Sequence, residues 1–203
     1  MDEHVDVPTW TIARCKGCTV ETVYPRPSIQ QIERYYANQT EPNEYEQQYY
    51  VRVPETKLKG FEDLARRLTS LNKKPGRLLE IGCAAGWLLE RARRQGWDVQ
   101  GLEASPKFHS FATGELKLPV TLGTISSVDT DRLGTFDTIV MFDVLEHLHD
   151  PVSDLAKIRK LLKPDGRLVV ATCAIDSFFA RFYGLAWRQL VVSHTFYWTR
   201  KSL

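Results

Sequence analysis

The 203-residue chain is long enough for one core of ordinary size and a small appendage. Hydrophobic content of 43% and charged content of 26% fit a water-soluble globular protein, and a net charge of +2 gives no reason to expect a nucleic-acid or membrane partner. No apolar run approaches the ~20 residues of a membrane span, the start MDEHVDVPTW lacks the character of a signal peptide, and four cysteines do not make a disulfide framework, so a reducing cytoplasm is the expected compartment.

Residues 1–28 read as short extended pieces around Cys15 and Cys18, closed by YPRPS, whose prolines favour extended or turn backbone. Residues 29–56 begin as a helix, with Ser28 as cap and Ile29, Ile32 and Tyr36 on one face, and continue through a Tyr-rich stretch. From Lys57 to Leu71 apolar residues recur at helical spacing until KKPG stops them.

Strands and helices then alternate. RLLEIG, DVQGLEAS, PVTLG, FDTIVMF and GRLVVATC read as five strands, separated by WLLERARRQ, SPKFHSFATGE and DPVSDLAKIRKLLKP as helices. Such alternation predicts parallel pairing through right-handed crossovers, an open, doubly wound α/β sheet over 57–175. An aromatic-rich tail, 176–203, closes the chain.

In such a sheet the ligand sits beyond the carboxyl ends of the strands, so the loop after the first strand is the first suspect. A dinucleotide fingerprint laid over Gly82 needs glycines at 84 and 87, where Ala84 and Trp87 stand. The loop instead reads Glu80-x-Gly82-x-Ala84-x-Gly86. A carboxylate at Glu80 repels a pyrophosphate and suits a ligand that carries an ammonium. A second acid, Glu103, ends the next strand, where a carboxylate can accept both hydroxyls of a ribose. An amino-acid ammonium and a ribose together describe S-adenosylmethionine.

The order EIGCAAG, GLEAS, FDTIVMFDVLEHLHDP and LLKPDGRLVVATC resembles the class I S-adenosylmethionine-dependent methyltransferases across roughly residues 57–175. The resemblance implies a Rossmann-like sheet that normally ends in two further strands, for which this chain has no room. A shortened chain with an exposed edge strand and exposed apolar surface is therefore expected, with a homodimer as one outcome. It also implies that Gly82, Ala84 and Gly86 let the backbone approach the methionine part and that Glu80 supports the loop or the ammonium. Glu103 would bind the ribose, with Ala104 and Ser105 beside the adenine. Thr124 follows strand three, where relatives often carry an acid and this chain has none. Phe142, Asp143 and Val144 would line the cofactor after strand four, and Trp87 either covers it or packs in the core.

Methyl transfer from a sulfonium is an in-line displacement, so the protein supplies mainly proximity, alignment and, for a hydroxyl acceptor, a base. His147 in DVLEHLHD stands where the resemblance brings the acceptor, and its neutral form can take a proton. His194, in SHTFYWTR, matches a His-plus-aromatic segment of relatives. Asp143, Glu146 and His147 resemble an acid-acid-His loop of ubiquinone-pathway O-methyltransferases that has been associated with a divalent cation. Asp143 is already assigned to the cofactor, so no cation is expected there.

FDVL lacks the signature of base-directed amino-methyltransferases, and no basic run is present, so a small-molecule acceptor, methylated at oxygen, is expected rather than a nucleic acid. A cofactor-binding module without turnover is the alternative, because the shortening removes part of the acceptor wall. RCKGCTVETVYPRPS resembles the second half of a zinc ribbon found before some methyltransferases. Cys15 and Cys18 supply two ligands where a structural zinc wants four, and His4 is the sole further candidate nearby, so an unmetallated remnant is expected.

Overall fold

The computed structural model describes residues 10–37, 44–191 and 193–203. These fall into two compact units, one drawn from 36–141 and 152–169, the other from 1–35, 142–151 and 170–203.

The first unit carries a five-stranded sheet. Its strands are β3 (Arg77–Ile81), β4 (Asp98–Glu103), β5 (Val120–Leu122), β6 (Phe136–Phe142) and β7 (Leu162–Ala171), in the order β5-β4-β3-β6-β7. β3 pairs in parallel with both β4 and β6, with Glu80 opposite Gly101 on one side and Val140 on the other. Leu78 to Ile81 are all buried, as expected of a central parallel strand covered on both faces. The covering helices are α3 (Glu55–Asn72), α4 (Trp87–Arg94), α5 (Pro106–Gly114) and α6 (Pro151–Leu161). Ala65 and Leu68 of α3 and Leu88, Leu89 and Ala92 of α4 form the buried faces, and the two helices pack on each other. The reversal of strand order at β3 and β6 is the switch point of a doubly wound sheet, as the alternation predicts.

β7 begins at Leu162, directly after α6, four residues ahead of the strand read from GRLVVATC. It ends the strand order on its side. Near the starts of β3, β6 and β7, Asp137 accepts from the Arg77 N–H at 2.7 Å and from Lys163 Nζ at 2.7 Å.

The second unit is built on a small antiparallel sheet, β1 (Thr11–Arg14), β2 (Glu21–Tyr24) and β8 (Phe196–Tyr197). β8 comes from the aromatic tail, so the two chain ends share one sheet. Val23 and Tyr197 are wholly buried there, and the Tyr197 hydroxyl donates to Val191 O at 2.8 Å while accepting from its N–H at 3.0 Å. Helix α1 (Ile29–Ala37) starts as the sequence predicts. Ser28 Oγ accepts from Gln31 N–H and Gln31 Oε1 accepts from Ser28 N–H, a reciprocal capping box. Helix α7 (Phe178–Tyr183) is capped by Ser177 and exposes Phe178, Phe179, Phe182 and Tyr183. No described helix is long and apolar enough to cross a membrane.

Candidate active site

The loop after β3 carries the strained backbone that its composition anticipates. Gly82 has φ 71°, Ala84 φ 45° and Gly86 φ 84°. The left-handed region costs a residue with a Cβ about 1–2 kcal/mol, so Ala84 holds an unfavourable conformation that something else must stabilise. That group is Glu103. Its Oε2 accepts from Ala84 N–H at 2.7 Å and its Oε1 from Ser105 N–H at 2.7 Å. The carbonyl of Leu102, one residue earlier, accepts from Gly82 and Cys83 N–H at 2.8 and 3.1 Å. The end of β4 thus orders the loop at the end of β3. Gly86 is required for a second reason, because a Cβ there would lie 2.6 Å from Leu118 Cδ1.

Glu80 and Glu103 are both buried. Burial pushes the Glu80 carboxyl well above the usual carboxylate range, and the like charge of Glu103 adds to the effect. Burial raises Glu103 as well, opposed by the N–H groups of Ser105 and Ala84. Glu80 Oε2 has no hydrogen-bond partner among the described residues, so a buried acceptor faces a site that lacks a donor. Ser105 Oγ is buried without a partner in the same way. Ala104 is half-buried beside it. Thr124 begins the turn after β5: its N–H donates to Ser127 Oγ at 2.9 Å, and its Oγ1 accepts from Ser127 N–H at 3.2 Å. Its side chain therefore caps a turn.

Trp87 acts as a tether. Its Nε1 donates to Tyr50 O at 2.9 Å, and its ring lies tilted on Phe111 with centroids 6.0 Å apart. Tyr50 belongs to a π-helical turn, Gln47–Val51, that follows the short helix α2 (Glu44–Glu46). Its ring packs on Phe108 at 5.2 Å. Lys107 Nζ, buried under this segment, donates to both carboxylate oxygens of Glu46 at 2.7 and 2.6 Å. The sequence reading missed this pair, since nothing in SPKFHS marks a lysine for burial; a basic residue in the first turn of a helix, against the dipole, is the one available signal.

Phe142, Asp143 and Val144 lie in the chain leaving β6, within the second unit. Asp143 is exposed, has φ 54°, and donates its N–H to Ala171 O at 2.9 Å. A single 3-10 turn, Leu145–His147, follows, and around it stands a dense polar cluster. Glu146 is 1% exposed; its Oε2 accepts from Thr172 Oγ1 at 2.8 Å, and its Oε1 has no partner among the described residues. His147 Nδ1 meets Ser193 O at 2.8 Å, which fixes the proton on Nδ1 and leaves the lone pair on Nε2. The His194 ring stands edge-on to it, centroids 4.6 Å apart, with Nδ1 3.8 Å from Cys173 Sγ. Burial lowers both imidazoles, His194 to about 4, and raises the Cys173 thiol to about 12. Thr195 Oγ1 donates to the carbonyls of Glu146 and Leu148 and so ties the tail to this turn. Among the described residues, Glu146, His147 and His194 each bring one potential ligand atom within 4.8 Å of the others. Asp143 is not part of this group.

Cys15 and Cys18 sit on an exposed knuckle between β1 and β2. The N–H groups of Cys18 and Gly17 point at the Cys15 thiol and lower it from its ordinary value. No third metal-ligating group joins them among the described residues, and His4 lies outside those residues.

The geometry can be set beside known proteins. A family model described as a methyltransferase domain matches residues 52–203. The chain belongs to this methyltransferase family. Among curated relatives, the ubiquinone biosynthesis O-methyltransferase of Cereibacter sphaeroides is 34% identical over 120 residues, 55% of this chain and 47% of that protein. The enzyme of the same name from Xanthomonas euvesicatoria pv. vesicatoria is 29% identical over 110 residues, 51% of this chain and 46% of its own length. The methyltransferase chain thus spans about half the length of the curated relatives it matches. Among solved structures, DesVI of Streptomyces venezuelae aligns with a TM-score of 0.53 at 23% identity, over 61% of this chain and 53% of that one. An S-adenosylmethionine-dependent methyltransferase from Clostridium acetobutylicum aligns at 0.53 with 17% identity, over 70% of this chain and 58% of its own. These likenesses concern the fold, and they agree with the parallel α/β sheet of the methyltransferase.

Proposed function

We propose that the protein transfers a methyl group from S-adenosylmethionine to an oxygen of a small-molecule acceptor. The observation that carries the cofactor is the pair of buried carboxylates at the ends of adjacent strands, Glu80 and Glu103, on either side of a glycine loop. Glu80 offers an unpartnered oxygen to an ammonium. Glu103 has two lone pairs on each oxygen, so it can hold the loop amides and still accept from a ribose. A pyrophosphate would meet two acids in a low-dielectric site, which is strongly unfavourable.

Gly82, Ala84 and Gly86 let the loop backbone approach the methionine part, and Ala104 with Ser105 flank the adenine. Thr124 is assigned to the adenine side through the turn it forms, its hydroxyl and its N–H both being engaged with Ser127. Phe142, Asp143 and Val144 are assigned to the cofactor as well. Segment 44–51, tethered through Trp87 and Lys107, serves as a lid. The sulfonium is an activated leaving group, so the remaining chemical need is removal of the acceptor's hydroxyl proton. His147, neutral and with its lone pair fixed on Nε2, is the proposed base. Oxygen as the acceptor atom is supported by likeness to proteins called O-methyltransferases.

Calorimetry with S-adenosylmethionine, its demethylated product and NAD tests the cofactor. Binding of the first two without NAD is expected. Heat with NAD alone would overturn the reading. A screen of phenolic, carboxylic and amine acceptors with labelled methyl donor then tests the acceptor class.

A further inference from the structure

His147 lies between two carbonyls that one side chain reaches. Thr195 Oγ1 is 3.0 Å from Glu146 O, just before the histidine, and 3.1 Å from Leu148 O, just after it. A hydroxyl shared by the carbonyls on either side of a residue fixes both neighbouring peptide planes, and with them the direction of the Cα–Cβ bond. The ring is held from the same stretch of chain. Ser193, two residues before Thr195, presents its carbonyl to His147 Nδ1 at 2.8 Å. The turn Leu145–His147 has little to hold it by itself: one bond, His147 N–H to Val144 O at 2.9 Å, and no side-chain cap. Single 3-10 turns of this kind depend on their surroundings. The stretch that supplies them here is firmly seated. The Tyr197 hydroxyl bonds both the N–H and the carbonyl of Val191, closing 191–197 into a loop. Thr195 O accepts from Thr22 Oγ1 at 2.7 Å and from Val23 N–H at 3.2 Å, so β2 holds it from the other side. Thr195 is 1% exposed, so no bulk water competes for these bonds.

We propose that Thr195 is a positioning residue for methyl transfer: through the carbonyls of Glu146 and Leu148 it aims the His147 imidazole, so that Ser193 O holds the ring proton on Nδ1 and Nε2 stays free as the base. The inference rests on the reading of His147 as that base. Thr195 touches neither cofactor nor acceptor in this role; it acts through the backbone of the turn. Without its hydroxyl, two buried carbonyls lose their donor. The turn then relaxes, the imidazole leaves Ser193 O, and its proton exchanges between the two nitrogens. A base must lie within hydrogen-bond reach of the proton it removes, and a misplacement of about 1 Å costs on the order of a hundredfold in rate. The N-terminal hairpin and the tail thereby take part in the chemistry without contributing a reacting atom.

The test compares wild type with Thr195→Val, which keeps the shape and loses the hydroxyl, and Thr195→Ser, which keeps the hydroxyl. Nitrogen-15 spectra of histidine-labelled, chelator-treated protein at one neutral pH read the tautomer of His147, assigned with His147→Gln. Well-separated signals for a protonated Nδ1 and a bare Nε2 are expected in wild type and in Thr195→Ser. In Thr195→Val they should move toward their mean. Transfer of a labelled methyl group to catechol, used as a phenolic probe, should fall at least tenfold in kcat for Thr195→Val, with KM for S-adenosylmethionine within threefold of wild type. Thr195→Ser should recover it. Circular dichroism and S-adenosylmethionine calorimetry on the same samples separate lost aim from lost fold or lost cofactor. A wild-type protein that binds no S-adenosylmethionine sinks the methyl-transfer reading but leaves the tautomer result standing. If Thr195→Val does not fold, Tyr197→Phe, which keeps the ring and opens the 191–197 loop, decides by the same spectra. The spectra decide as well if catechol is not accepted. Wild-type signal separation in Thr195→Val or in the deciding Tyr197→Phe, unchanged catechol turnover in Thr195→Val, or no recovery in Thr195→Ser overturns the proposal.

Discussion

Glu103 Oε2 accepts the N–H of Ala84 at 2.7 Å, and Ala84 is the one non-glycine residue of the strand-three loop with a left-handed backbone. The carboxylate assigned to a ribose is thus also the clamp that holds the loop in its strained form. Glu103→Ala should therefore lose more than a ligand contact. Charge-assisted hydrogen bonds contribute about 1.5–3 kcal/mol each, so a fall of ten- to several-hundredfold in S-adenosylmethionine affinity is expected, together with a lower melting temperature of the ligand-free protein. Glu103→Gln, which keeps one acceptor oxygen, should fall between. Calorimetry and thermal melting of the three proteins decide; wild-type affinity in Glu103→Ala would remove the residue from its role.

Two small substitutions in the same loop should act very differently. Ala84→Gly relieves about 1–2 kcal/mol of left-handed strain and gives back about 0.4–1 kcal/mol through a freer unfolded chain. The net change in stability should lie between about zero and about 1.6 kcal/mol in favour of glycine. Gly86→Ala adds a Cβ 2.6 Å from Leu118 Cδ1 at φ 84°, so strain and overpacking combine to about 2–4 kcal/mol. Urea unfolding measures both. A tolerated Gly86→Ala would show that the loop can move away from Leu118.

Cofactor binding should release protons. Glu80 is raised well above 4.5 by burial, then by Glu103, so the folded, ligand-free protein binds more protons there than the unfolded chain. Stability contributed by this group is present at low pH and declines as pH rises above about 4.5 toward the raised folded value. A cationic ammonium beside Glu80 favours the ionised form and opposes that shift. S-adenosylmethionine affinity should accordingly increase with pH through the same window. Titrations in buffers of different ionisation enthalpy should report net proton release, and proton uptake would contradict the assignment of the ammonium to Glu80.

The Lys107–Glu46 pair predicts how segment 44–51 is held. The Lys107 side chain is 3% exposed and that of Glu46 16%, and removing one partner of a buried pair costs about 3–5 kcal/mol through loss of the counter-charge. Lys107→Met should accelerate amide exchange across 44–51 and destabilise the protein by about 2–4 kcal/mol, at the lower side because Glu46 retains some water. Adding Glu46→Gln should recover much of the loss. An additive double mutant would mean that the pair contributes nothing as a pair.

The doubly wound sheet was legible because its causes are local. Apolar runs such as RLLEI and DTIVMF, turns such as KKPG, and the Ser28 cap are set by neighbours a few residues apart, and alternation of strand and helix leaves essentially one handed way to build the sheet. The positions of Glu80, Gly82, Gly86 and Glu103 at the ends of successive strands were legible for the same reason. The beginning of β7 at Leu162 was not legible, because LLKP continues a helical pattern and pairing in the sheet overrides it.

The sequence by itself determined the parallel sheet and set a glycine loop and two acids at the ends of adjacent strands, the features from which the cofactor assignment is proposed. Tertiary structure alone decided the relations between residues far apart in the chain: Glu103 holding Ala84, Lys107 buried on Glu46, Trp87 tied to Tyr50, and His194 set edge-on to His147 across 47 positions. The physical reason is that propensity and periodicity act over a turn or two, whereas a buried charge or an imidazole pair is fixed by desolvation and by partners that the folded backbone brings together.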